Sequence, residues 1–221
     1  MLPQYHDARH AVRDSIIEMV ESLANTNKLA MDAIKNNSVS DIEAIRTELK
    51  ELSPVTEKID NDIVLIFAKY TPGARDLREM VSYFKVTSAL NRIQTYINNY
   101  LKKMQIVLME DNRDMSEFIS DSLRINKSTI NSFEYVLEML KTFDDDDKIK
   151  KLISKISVEN AKTEDIYSIL EKEMVQKMSD AEGNPEDYFN LLKYFRKNLK
   201  IIDRLENIAE RIIFARMGGK L

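Results

Sequence analysis

Apolar residues recur at intervals of three and four along nearly the whole chain, the spacing of one face of an α-helix. The first amphipathic segment, from about Tyr5 to Lys35, carries Val12, Ile16, Val20 and Leu23, and Asn36-Asn37 ends it. Ser38 starts a second helix, with Asp41 three residues on in a capping-box-like position. Its stripe is Ile42, Ile45, Leu49, Leu52, Ile59, Ile63 and Ile66, and Pro54 inside it predicts a kink. Tyr70-Thr71-Pro72-Gly73 breaks that pattern, with Thr71 expected as the next cap and Pro72 at the first helical position. A third helix, from about Ala74 to Glu110, follows on Val86, Leu90, Ile93, Ile97, Leu101, Met104 and Leu108. At 1.5 Å per residue it would be about 55 Å long.

Asp111-Asn112 marks the midpoint, and the pattern restarts. A fourth helix, about Met115 to Phe143, carries Ile119, Leu123, Ile130, Phe133 and Leu137 on one stripe, interrupted by Asn126. A polar residue at a seam fixes register at a cost in stability; a drifting stripe that leaves Asn126 half-exposed is the plainer reading. Asp144 to Asp147 read as a solvated loop or helix N-terminus. A fifth helical region covers about Lys148 to Ala181, with a break expected near Val158-Glu159. After the turn Glu182-Gly183-Asn184-Pro185, a sixth helix runs to Met217 on Leu192, Phe195, Leu199, Ile202, Leu205, Ala209 and Ile213, and Gly218-Gly219 ends it. Three helices, repeated with a period of about 105 residues, predict an all-α fold of two tandem three-helix bundles, residues 1–112 and 113–221.

Composition supports this. Only 4 Gly and 4 Pro occur in 221 residues, too few turn formers for a strand-rich fold, and 43% hydrophobic residues suffice for a core. A net charge of -4 and pI near 5.4 argue against a nucleic-acid partner. The absence of Cys excludes disulfides and thiolate metal sites. Met1 to Arg13 has no apolar signal-peptide core, and no run approaches the ~20 apolar residues of a membrane span, so a cytoplasmic protein without membrane insertion is expected. No nucleophile–base arrangement and no Gly-rich phosphate loop stand out, so no enzyme is expected.

Two segments resemble the PhoU family of phosphate-signalling proteins. Thr71-Pro72-Gly73-Ala74-Arg75-Asp76-Leu77-Arg78 is similar to the Pro turn and Asp-Leu-Arg that open the family's third helix. The following frame of Lys85, Leu90, Arg92 and Ile93 is kept. In the second half, Asp203 and Asn207-Ile208-Ala209-Glu210 match the end of the PhoU repeat, followed by Ile212-Ile213-Phe214-Ala215 and Gly218. The resemblance implies six long helices with a pseudo-twofold repeat. It also implies carboxylates that hold divalent, iron or zinc ions. Here the chain diverges, with Asn91 and Thr95 where the first repeat has Glu and Asp, and Leu199 for the Glu of the second.

Several residues are candidates for chemistry or contact. Asp203, Glu206 and Glu210 form one column at i, i+3 and i+7, where like charges repel by a few tenths of a kcal/mol unless a cation, a partner's Arg, or neighbouring Lys and Arg relieve them. They are the candidate metal ligands. Glu57, Asp60 and Asp62 read as a solvated acidic face, and His6 and His10 as an exposed first turn rather than a zinc pair. Asp76 suits the start of a helix, and Arg78 is a brace or a partner contact. Lys85, Arg92 and Asn207 join these two as candidate partner-binding or structural residues. The 11 Met residues, among them Met104, Met109, Met115, Met139, Met174, Met178 and Met217, are expected to fill core gaps.

By resemblance, the chain regulates phosphate uptake and phosphate-starvation signalling through contact with a Pst-type transporter ATPase and a sensor histidine kinase, as a homodimer. Alternatives are an accessory protein of a Pit-type phosphate carrier, a metal-binding bundle with a hydrolytic or storage role, and a plain helical adaptor.

Overall fold

The computed structural model describes residues 3–109, 113–180 and 184–219, with side chains of 113–118 left aside. It contains α1 (Pro3–Lys35), α2 (Val39–Glu51), α3 (Ser53–Lys69), α4 (Ala74–Met109), α5 (Arg113–Lys141), α6 (Asp146–Ser179) and α7 (Pro185–Met217), and no strand among the described residues. The second rod expected from the sequence is thus two helices. Pro54 has no N–H to offer an interior turn, so α2 stops at Leu52 and α3 restarts with Pro54 in its first turn. Six rods are built from seven helices.

The ends follow from local chemistry. Asn37 takes φ 54, the left-handed conformation that Asn tolerates. This lets Ser38 N–H reach Ala33 O at 2.9 Å and Asn37 N–H reach Ile34 O at 3.1 Å, closing α1. Ser38 then turns to α2, where its hydroxyl accepts from Asp41 N–H at 3.4 Å. Asp145 caps α6 through Lys148 N–H, and Asn184 caps α7 ahead of Pro185. One cap differs from expectation. Leu77 N–H bonds to Gly73 O at 2.8 Å, so α4 begins after Gly73; Thr71 and Pro72 stay outside the helix.

α1 to α4 pack on one another, α5 to α7 do the same, and α1 on α5 and α4 on α7 join the two sets. The boundary expected at Asp111-Asn112 lies outside the described residues. α4 and α7 run antiparallel along each other: Arg78 early in α4 meets Ala215 late in α7, while Lys103 late in α4 covers Tyr194 early in α7. The seam of α4 from Val86 to Met104 is buried as its spacing predicts, and one apolar core runs through both sets of helices.

α5 departs most from its expected stripe. Ile119, Leu123, Ile130 and Leu137 are only half-buried, whereas Ser122, Ile125, Asn126, Thr129, Ser132, Phe133 and Val136 are fully buried. α5 packs against α1, α6 and α7 at once, so its buried arc is broad. Small hydroxyl residues admit close neighbours there, and Thr129 and Ser132 satisfy themselves on the carbonyls of Ile125 and Ser128. α6 is continuous through Val158-Glu159, where a break was expected. Met104, Met139 and Met174 fill the core and Met178 and Met217 are half-buried, but Met109 is exposed; the side chain of Met115 lies outside the described residues.

Candidate functional site

Asp203 and Glu206 sit on the side of α7 that meets α6, where burial thins their hydration. Their hydrogen bonds come from α6, although Arg204 and Lys200 of their own helix lie near Asp203. The Glu206 carboxylate accepts from Ser157 Oγ at 2.5 Å and from Asn160 Nδ2 at 2.7 Å, both on α6. Burial pushes the Asp203 carboxyl above the usual aspartate range; Asn160 and Arg204 pull it down, and the Glu206 charge pushes it further up. Asn160 Oδ1 is buried without a hydrogen-bond partner beside these carboxylates. The local set is therefore two carboxylates and a hydroxyl around the Asn160 amide, whose Nδ2 faces the carboxylates as donor; turned over, that amide would present its orphaned oxygen and complete an all-oxygen group of the kind hard divalent cations take. Glu210 lies exposed a turn further on. Among the described residues no three His, Asp or Glu side chains converge to hold an ion.

Ser157 and Asn160 are the residues that sequence reasoning missed. They fall where the pattern suggested a break in the fifth helix, and continuity of α6 is what aims them at α7. The i, i+3 spacing of Ser157 and Asn160, matching Asp203 and Glu206, was the available signal.

The corresponding stretch of α4 is different. Asn91, Thr95, Arg92 and Lys85 are exposed, and Thr95 Oγ1 bonds back to Asn91 O at 3.0 Å. No carboxylate of α4 stands there. On α3, Glu57 is exposed, and half-buried Asp60 accepts from Thr87 Oγ1 at 2.5 Å.

Asp76 and Arg78 brace the fold. Asp76 accepts from Arg9 Nη1 of α1 at 2.7 Å. Arg78 Nε lies 3.4 Å from Ala215 O, satisfying one of the orphan carbonyls at the end of α7, where a cation also suits the helix dipole. Asn207 Nδ2 donates to the Asp203 carbonyl at 2.7 Å, within its own helix. His6 and His10 are exposed in α1. The acidic run is also tied down: Arg216 holds Asp144 at 2.7 Å and Asp146 at 2.6 Å. No helix of the described residues is long and apolar enough to cross a membrane.

Residues 16–104 match the family model of the PhoU domain. A protein of Xylella fastidiosa named phosphate-specific transport system accessory protein PhoU homolog is 23% identical, covering 100% of this chain and 90% of its own. A protein of the same name from Deinococcus radiodurans is 19% identical, covering 95% of each. The fold is shared with the crystal structure of PhoU from Pseudomonas aeruginosa (TM-score 0.87, 20% identity, 97% of this chain and 100% of that one). It is shared also with the phosphate transport system regulatory protein PhoU from Streptococcus pneumoniae (TM-score 0.82, 17% identity, 98% and 99%). The domain match over residues 16–104, the end-to-end likeness to these homologues and the common fold together make this chain similar to PhoU proteins along its length.

Proposed function

We propose that the chain regulates phosphate transport by binding other proteins, as an accessory to a Pst-type transporter ATPase and a sensor histidine kinase. The observation that carries this reading is that relatives named as phosphate transport accessory proteins match it along nearly their whole lengths. The architecture suits the role: rigid rods braced at their ends present fixed surfaces, and preferential affinity for one state of a partner shifts that partner's population. The test is deletion of the gene followed by alkaline phosphatase assay in phosphate-rich medium. Derepression is expected. Repression that persists unchanged overturns the reading.

We also propose that the divalent cation implied by the family binds between α6 and α7, on Asp203, Glu206 and Asn160 Oδ1. Two carboxylates and an amide oxygen favour a hard cation over iron or zinc, which take nitrogen or sulfur ligands readily. A bound ion would offset the mutual repulsion of the carboxylates and tie α6 to α7. Metal analysis of protein purified without chelators, and titration with Mg2+, Ca2+ and Mn2+, test this. No bound metal, with no change in affinity for any of these ions in Asp203→Ala, rejects it.

A further inference from the structure

The α7 face next to α4 has a chemistry that the regulatory reading leaves unused. Lys193, Arg196, Lys197 and Lys200 follow one another over successive turns of α7, and Lys103 of α4 joins them around a recess of about 360 Å3. No acidic side chain lines this recess, although the whole chain carries a net charge of -4. None of the five cations forms an ion pair with a described residue; Arg196 bonds to Tyr167 of α6, near Glu164 and Glu171, and Asp203 lies next to Lys200. Concentrating like charges on one helix face is unfavourable by a few tenths of a kcal/mol per pair, and of these five cations Lys103, Lys193 and Lys197 have no carboxylate lining the recess beside them.

Apolar groups continue the same strip. Phe189 is 54% exposed one turn before Lys193, whose Nζ sits 4.1 Å from the Phe189 ring centroid. Ile106 is 40% exposed one turn after Lys103. Because α4 and α7 are antiparallel, these two apolar residues fall at the same end of the recess. Along α7 the order is Phe189, Lys193, Lys197, Lys200, at i, i+4, i+8 and i+11, and the three lysines span about 10 Å.

We propose that this α4–α7 recess docks an acidic amphipathic helix of a partner protein. Two antiparallel rods leave a groove that a third helix fills. The three lysines are separated by four and three residues, so carboxylates at that same helical spacing meet each of them, with one apolar residue against Phe189 and Ile106. A bilayer is flat and leaves a recess unfilled. A short phosphate chain matches the charge but has nothing to place on the apolar end. The proposal deepens the regulatory reading and rests on it for the partner being a protein.

The probe is a synthetic helical peptide on an Ala/Gln background, carrying Phe and then Glu at the +4, +8 and +11 positions, made in both sequence directions. The control has the same composition with its Glu residues spread around the helix. Binding to the full chain is followed by calorimetry. One direction of the striped peptide is expected to bind, to weaken with added salt, and to weaken about tenfold in Lys193→Gln/Lys200→Gln, from about two surface ion pairs lost. Both lysines are exposed, and an unchanged melting temperature shows that the variant is folded. Equal binding of the control, no binding of either peptide, or displacement of the peptide by phosphatidylglycerol vesicles or tripolyphosphate overturns the proposal. Self-association of the chain that Lys193→Gln/Lys200→Gln abolishes also overturns it, since the occupant is then a second copy. Peptide binding that persists while gene deletion leaves repression intact rejects the regulatory reading and leaves the surface standing.

Discussion

Asn198 Nδ2 of α7 donates to Asn126 Oδ1 of α5, with both side chains fully buried. One turn away Tyr100 of α4 and Ser122 of α5 share a hydrogen bond, and burial pushes the Tyr100 phenol up to about 12. These contacts form a polar rung joining three helices inside an apolar core. Replacing one Asn strands the other, so Asn126→Leu is expected to cost about 1–3 kcal/mol. Asn126→Leu/Asn198→Leu should cost clearly less than the sum of the singles. Denaturant midpoints of the four proteins measure this; simple additivity contradicts it.

Arg13 and Glu79 make a second test. Their ion pair, at 2.8 Å, leaves the side chains 12% and 4% exposed, and Tyr83 donates to the same carboxylate. The Arg13 guanidinium also covers the Phe143 ring at 4.2 Å. Removing Arg13 leaves the buried Glu79 carboxylate with the Tyr83 hydroxyl and the more distant Arg9 Nη1 at 3.8 Å, so Arg13→Met is expected to lose about 3 kcal/mol. Adding Glu79→Gln should recover part of that loss. A double variant less stable than the single one rejects the account.

Asp203 and Glu159 should give opposite pH responses. Asp203 is raised, chiefly by burial, so its charge opposes folding above its folded pKa and ceases to do so below the ordinary aspartate value of about 3.9. With chelator present, Asp203→Asn is expected to raise Tm at about pH 7 and to leave it unchanged at about pH 3. For Glu159, burial acts upward, but bonds from Lys162, Ser128 and Asn131 outweigh it and hold the carboxyl below its usual range. Its contribution is complete above the ordinary glutamate value of about 4.3 and is lost as pH falls through the depressed value. Glu159→Gln should therefore lower Tm at neutral pH by an amount that shrinks in acid. Thermal melts across pH that show both variants moving the same way contradict this.

Gly218 ends α7 with φ 84, and a Cβ built on it would lie 2.8 Å from Arg78 Nη1. Gly218→Ala is expected to cost about 1 kcal/mol from the backbone conformation, with the flexible Arg78 tip moving aside. Chemical denaturation checks the value. A neutral result shows that the end of α7 adjusts freely.

The all-α architecture was legible because burial on a rod leaves a period of three to four. Val86 to Met104 shows this most plainly, since α4 buries one continuous seam. α5 was legible as a helix but not in its orientation. Contact with three neighbours buries Ser122, Asn126 and Ser132, which a search for apolar stripes passes over. The carboxylates Asp203 and Glu206 could be picked out by spacing, and their partners could not. Ser157 and Asn160 act across a tertiary contact, and beyond their i, i+3 spacing nothing local distinguishes them from any other helical Ser and Asn. The sequence reads Arg78 as a brace or a partner contact, and only the antiparallel course of α4 and α7 brings it to Ala215.

That antiparallel course has a mechanical consequence. Among the described residues, the broadest helix–helix contact connects the first half of the chain to the second and closes neither half by itself. Prising the halves apart would strip α4 and α7 of their main apolar cover together. The protein should accordingly melt in one calorimetric step. A tug on either end is carried to the other along two stiff beams.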